Sequence, residues 1–177
     1  MDFVRKGGNL YSEGWNHWQK LKSYQLPTPR VKTETHSPGG GIMDLDVPLG
    51  AIEPLTLGYN LISAHPGELG TMGMSLHHSR LYTIYELLQD EKTGTKRERI
   101  ITVRGISAEN TPEEMAGRGL KGYGHLIKSI TEYEDVIEGY GIVARFNFWT
   151  NTWRGYGIEA GSDEDNRILR IAGGATV

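Results

Sequence analysis

LPTPRVKTETHSPGGGIMDLDVPLG, residues Leu26 to Gly50, is a polar, extended segment that carries no residue set suited to chemistry. Pro27, Pro29, Pro38 and Pro48 each remove a backbone donor and disfavour helix, while Gly39, Gly40 and Gly41 permit backbone angles that other residues avoid. The segment therefore reads as strand, flexible tip, strand. Its first strand is predicted over Arg30 to Thr35, with β-branched Val31, Thr33 and Thr35 on one face and Arg30, Lys32 and Glu34 on the other. Long loops in compact domains are uncommon and usually functional, and one poor in catalytic groups is better suited to touching another molecule than to transforming one. We read residues 27–50 as an assembly arm, with Gly39, Gly40, Gly41, Ile42 and Met43 at its tip.

The flanking sequence is mainly β. Trp18, Tyr24 and Leu26 alternate with Lys and Gln, which predicts a half-exposed strand over Trp15 to Leu26. Leu55, Leu57, Tyr59 and Leu61 recur at period two, the signature of a strand facing the core. His65-Pro66-Gly67-Glu68 predicts a turn with a short helix after it. Leu81 to Asp90 matches both a strand and a helical stripe, and the turn signal Lys92-Thr93-Gly94-Thr95 decides for two long antiparallel strands, the second ended or bulged at Gly105. Asn110-Thr111-Pro112-Glu113-Glu114 combines a cap, an early proline and acids, predicting a short helix. A further strand is expected around Leu126 and Ile130, followed by the acidic run Glu132 to Glu138. The strongest strand pattern is Tyr140, Ile142, Ala144, Phe146 and Phe148 alternating with Gly141, Val143, Arg145 and Asn147. Ser162 to Ile171 predicts a C-terminal helix.

The bulk properties agree with one β-dominated domain. The 177 residues are enough for a single core, and 24 glycines against 7 prolines suit a turn-rich β protein better than a helical bundle. A net charge of -3 leaves no broad basic surface for nucleic acid. The absence of cysteine excludes disulfides and thiolate metal sites. No apolar run approaches membrane-spanning length, and Met1 to Leu10 lacks the apolar middle of a signal peptide, so a protein soluble when made is expected.

Motifs for chemistry are weak. Gly117 to Gly122 matches GxGxxG in letters, but a dinucleotide site needs a strand before it and a helix after it, and here the predicted order is reversed. His17, His36, His65, His77, His78 and His125 show no paired-ligand spacing, and no GxSxG elbow occurs. We expect no catalytic, cofactor-binding or metal site. The acidic run reads as a solvated strand end or turn, the alternative being a repelling surface. Trp15, Trp18, Trp149 and Trp153 read as core or subunit contacts ahead of a sugar-stacking platform.

The order of these pieces carries a resemblance. Leu10-Tyr11 with Gly14, then Leu26-Pro27, the Gly39 to Asp44 tip, Leu49-Gly50 and the Leu55 to Leu61 strand resemble the major tail tube proteins of contractile-tailed phages, the FII-like family. Gln89 to Gly94 followed by Val103-Arg104-Gly105 looks like that family's central hairpin, and Asp163 to Gly173 like its closing segment. Phe148 to Gly157 and the glycine-rich Gly117 to Gly124 linker depart from the pattern. The resemblance implies a β-sandwich or partial barrel with a flanking helix, assembled as hexameric rings that stack into a hollow tube. It further implies a virion-tail protein, made soluble in the host cytoplasm, that conducts the genome. Its partners would be itself, the tail sheath protein, baseplate and tail terminator proteins, and the tape-measure protein and DNA that pass through the lumen without specific binding. The alternatives are the tube of a tailocin or secretion-type device, and a monomeric β-sandwich binding module.

Overall fold

The computed structural model describes residues 2–72, 78–155, 158–160 and Ile168. Its elements are β1 (Phe3–Ser12), β2 (Trp15–Asn16), β3 (Leu21–Gln25), β4 (Val31–His36), β5 (Leu45–Ile52), β6 (Leu57–Leu61), α1 (Pro66–Met72), β7 (Arg80–Asp90), β8 (Lys96–Pro112), β9 (Tyr123–Ile137), β10 (Gly141–Asn147), β11 (Thr152–Gly155) and β12 (Ile158–Ala160). Every strand pairing is antiparallel, and α1 is the one short helix among the described elements. The predicted fold class, mainly β with a short flanking helix, holds.

The architecture turns on the two longest strands. Along one edge of β9, β8 pairs from Arg99↔Ile137 down to Pro112↔Tyr123. On the other edge β9 is divided: Glu132 to Ile137 pair with β10, and Tyr123 to Ile127 pair with β6. The β8–β9 ribbon thus belongs to two layers. One runs β2-β1-β7-β8-β9-β10-β11-β12, and the other carries β6 and β3. The bend between them sits where the β8–β9 register shifts, between Arg104 and Ile106, opposite Ser129, whose φ of 51° is left-handed. Gly105 is needed there because a Cβ would stand 2.8 Å from Ile127 Cγ2 and 3.0 Å from the Lys128 carbonyl. Of the two readings of Gly105, the bulge is the correct one.

Between the layers lies the core. Leu57, Tyr59 and Leu61 from β6 meet Leu10, Tyr82, Ile84, Ile101, Val103 and Tyr133 from the other layer, and the Tyr59 and Tyr82 rings lie 6.2 Å apart. The period-two reading of Leu55 to Leu61 was right for each apolar position, since all four are buried. The helical stripe of Leu81 to Asp90 loses to the strand because the β7–β8 turn is well built. Asp90 accepts from the Lys92 and Thr93 amides at 2.7 and 3.2 Å, which holds its carboxyl below the usual range.

Several expectations are corrected. Trp15 to Leu26 is two strands around a turn, because buried His17 draws the chain inward and its carbonyl takes the Lys20 and Leu21 amides. The helix in residues 66–72 begins within the predicted turn, at Pro66, the first-turn position that proline favours. Asn110 to Glu114 forms no helix. Asn110, Thr111 and Pro112 extend β8 against His125, Gly124 and Tyr123, so sheet pairing overrides the local capping signal. The acidic run does lie at a strand end and turn, with Glu132, Glu134 and Asp135 near the end of β9 and exposed Glu138 in the turn after it, but the repelling alternative fails because the first three face Arg104, Arg145 and Arg99. β10 is shorter than its pattern, since Tyr140 and Phe148 lie in turns and are exposed. The predicted helix over 162–171 lies outside the described residues, apart from Ile168.

A charged network braces the hydrophobic layers. The fully buried Glu86 carboxylate on β7 accepts from Arg5 of β1, from the Tyr24 hydroxyl of β3 at 2.6 Å and from Arg99 of β8 at 3.0 Å. Arg99 also grips Asp135 of β9 through two bonds of 2.9 and 2.6 Å, and this bidentate contact, ahead of the opposing effect of burial, pushes its pKa up. Removing Glu86 takes away the partner of one Arg99 nitrogen and of the half-buried Tyr24 hydroxyl, leaving Arg99 on Asp135 alone. Glu86→Ala is expected to cost about 3–5 kcal/mol in urea unfolding of the protomer, whereas Arg5→Ala, at a half-exposed position, costs about 1 kcal/mol or less.

Candidate assembly surfaces

The arm is a hairpin detached from both layers. β4 and β5 form a two-stranded sheet of their own, in register from His36↔Leu45 to Thr33↔Pro48, with Thr35 donating to Asp46 at 2.6 Å. The Glu53 amide closes its base on the Arg30 carbonyl at 2.8 Å. Leu45, Val47 and Leu49 alternate along one face of β5, and all three are exposed, as are Val31, Ile42 and Met43. Water-exposed apolar stripes on a free-standing hairpin are costly, because such hairpins are marginal at best without a covering partner.

The sequence-predicted tip residues Gly39, Gly40, Gly41, Ile42 and Met43 are together at the outer end of this hairpin and all are exposed. The glycines are not equivalent. Gly40 has a φ of 81°, and Gly41 donates to the Pro38 carbonyl at 2.9 Å in a turn where a Cβ would lie 2.7 Å from Pro38 Cγ. A Cβ at Gly39 meets nothing within 4 Å. The tip is a built turn.

Two further surfaces accompany the arm. Residues Phe3 to Asn9 of β1 pair with β7 on one side, and among the described residues no strand pairs with their other side, so the sheet ends in an open edge. The solvent face of β1 and β7 to β10 carries Tyr11, Tyr85 and Leu87, with the two tyrosine rings edge to face at 5.5 Å. Next to them on that face stand the ion pairs Arg104–Glu132 at 3.2 Å and Arg145–Glu134 at 3.4 Å. This face is a mosaic of paired charge.

A buried polar cluster escaped sequence reasoning. Ser12 Oγ lies 2.5 Å from His17 Nε2, and His17 Nδ1 lies 3.0 Å from Glu68 Oε1, with Lys20 Nζ 3.2 Å from the other Glu68 oxygen. The order resembles a hydrolytic triad, yet Ser12, His17 and Glu68 are all buried, so no substrate carbonyl can reach the hydroxyl. The cluster ties α1 to β1 and the turn after β2. Nothing local announces it, since Glu68 comes from a distant element. Among the described residues no three His, Cys, Asp or Glu side chains converge to hold a metal ion. Gly117 to Gly122 lies in the connection between β8 and β9, with no helix after it. The tryptophans form no platform: Trp18 and Trp149 are exposed near opposite ends of the sheet order, while Trp15 packs on His65 and Trp153 on Phe146.

Comparison with known proteins follows this geometry. The family model described as phage tail tube protein FII matches residues 6–144. Among solved structures, the chain is similar to one from a cryo-EM structure of an extracellular contractile injection system, the PVC sheath-tube complex in the extended state. That similarity has a TM-score of 0.47 and 9% identity, covering 72% of this chain and 86% of that one. No curated protein matches.

The buried histidines set an acid limit. Burial pushes His125 down to about 4, stacked 4.7 Å over Tyr59 with both ring nitrogens lacking a hydrogen-bond partner. Burial also lowers His17, against the attraction of Glu68. The unfolded chain protonates these rings at the ordinary 6.5, so their contribution is complete above that pH and is lost as pH falls toward 4. The urea midpoint of the protomer is expected to drop across this window, and His125→Leu to flatten the slope. An unchanged slope in that variant would remove His125 as a source.

Proposed function

The chain belongs to the phage tail tube protein FII family, a structural and non-enzymatic family, and on that premise we propose that it forms the inner tube of a contractile tail. Copies join side by side into rings, six to a ring as the family resemblance implies, and the rings stack into a hollow conduit for the genome. The observation that carries this reading is the arm: an isolated hairpin with Leu45, Val47 and Leu49 exposed along one face and a built apolar tip. Covering that stripe gains about 25 cal/mol for each Å² of apolar surface buried, which gives a second copy reason to dock there.

The sheet supports the ring. The open Phe3–Asn9 edge of β1 offers backbone donors and acceptors to a neighbour, and closing a ring removes such edges. Edge pairing around a ring and arm contacts between rings give one closed and one open direction of growth, which is a tube. We assign the solvent face of β7 to β10 to the lumen. Its glutamates carry arginines against them, and with a chain net charge of -3 the wall neither clamps a polyanion nor depends on a dense acidic lining. The sheath then lies outside, the tape-measure protein and DNA inside, and baseplate and terminator proteins at the two ends.

Assembly is read directly by electron microscopy and sedimentation of the concentrated protein, with the baseplate complex added as nucleus. Hollow tubes or six-fold rings are the expected result, and a protein that stays monomeric with the nucleus present would refute the reading. The arm has its own test. Gly40→Val with Gly41→Val distorts the tip turn and is expected to lower tube mass at least ten-fold while leaving the thermal midpoint of the protomer within about 2 °C, because the tip touches neither layer. Gly39→Val, where a side chain has room, is expected to assemble far better.

A further inference from the structure

The divided edge of β9 leaves a notch. β6 pairs with β9 as far as Ile127 and the pairing with β10 starts at Glu132, so between them neither strand covers the edge. The gap is a cleft of about 350 Å³ whose walls are mainly apolar: Pro54 and Leu55 on one side, Ile130 at the floor, Phe146 and Phe148 on the other. Phe148 stands in the turn after β10 with its ring largely exposed, while its amide is held by the Thr131 carbonyl at 2.8 Å. The walls are therefore anchored, and the apolar surface between them faces water.

We infer that this notch receives the arm tip, Ile42 and Met43, of another copy. This deepens the stacking reading and rests on it. A chain cannot fill its own notch, because Ile52 and Glu53 at the arm's base already border it. From there to Ile42 the β5 leg extends up to roughly 30 Å at about 3.4 Å per residue, and the pairing from Thr33↔Pro48 to His36↔Leu45 holds the tip away from the base. Tip and notch are thus two ends of one lever. Docking the tip of one copy into the notch of the next displaces each copy by about the arm's length, a head-to-tail contact that propagates when its rotation does not close a ring. The same step lays the exposed Leu45, Val47 and Leu49 stripe toward the neighbour, which accounts for an apolar arm that covers nothing in its own chain.

The absence of cysteine makes cross-linking unambiguous. Met43→Cys and Phe148→Cys chains, mixed in equal amounts, assembled and mildly oxidised, are expected to give disulfide-linked dimers at least ten-fold above either variant alone. A chain carrying both changes is expected to give a ladder of linked species. Thr131→Cys, which leaves the Phe148 ring in place, serves as a second partner for Met43→Cys. Tubes in which neither pair links above the single variants would overturn the notch while leaving stacking intact. Strong linking of Met43→Cys with itself would mean that tips meet tips, and would also overturn it. Protein that neither assembles nor links would remove both the notch and the stacking reading.

Discussion

The fold depends on one buried carboxylate and the arginine beside it. Glu86 gathers β1, β3 and β8 onto β7, and Arg99 carries the connection on to Asp135 of β9. Apolar burial fixes which face of a strand turns inward, but a slide of two residues still returns an aliphatic side chain to that face. Charges are less forgiving. A shift at Glu86 leaves an unpaired ion in a water-poor interior, so the network selects one alignment of the layers even where its net contribution to stability is small.

With that alignment held, the β8–β9 ribbon can serve two layers. Its bend at Gly105 and Ser129 lets the first half of β8 join the broad sheet while its second half backs β6 through β9. The same bend divides the free edge of β9 and leaves the notch. A core-packing requirement in one part of the molecule thus creates a concave apolar feature in another. The arm, which leaves just beside that notch, is the convex counterpart: both are apolar, both face water in the single chain, and neither can satisfy the other within one copy.

The pattern of stability matches that division of labour. Within the body, polar side chains such as Ser12, His17, Glu68 and Lys20 lie against one another, while the β4–β5 arm forms a sheet of its own. A weakly tethered hairpin of this kind belongs to the low-stability end of a fold, from which binding elements are generally drawn.

How much could be read beforehand varied with the range of the interaction. Leu55 to Leu61, the β7–β8 hairpin and the arm with its glycine tip were legible, because period-two alternation and turn chemistry act over a few residues. Asn110 to Glu114 misled, since a good local cap was overruled by pairing with His125, Gly124 and Tyr123, a partner segment beyond the next loop. The acidic run was legible as a strand end and turn but not its pairing: Glu132, Glu134 and Asp135 look alike in sequence, and only the register of three strands gives each its arginine. Residues near in the chain were enough to specify many of the strands and turns and the extended arm. Which face each strand turns outward, where the notch opens and which charges meet came from strand register alone, because one residue of slip exchanges inside for outside and no short stretch of sequence encodes its distant partner.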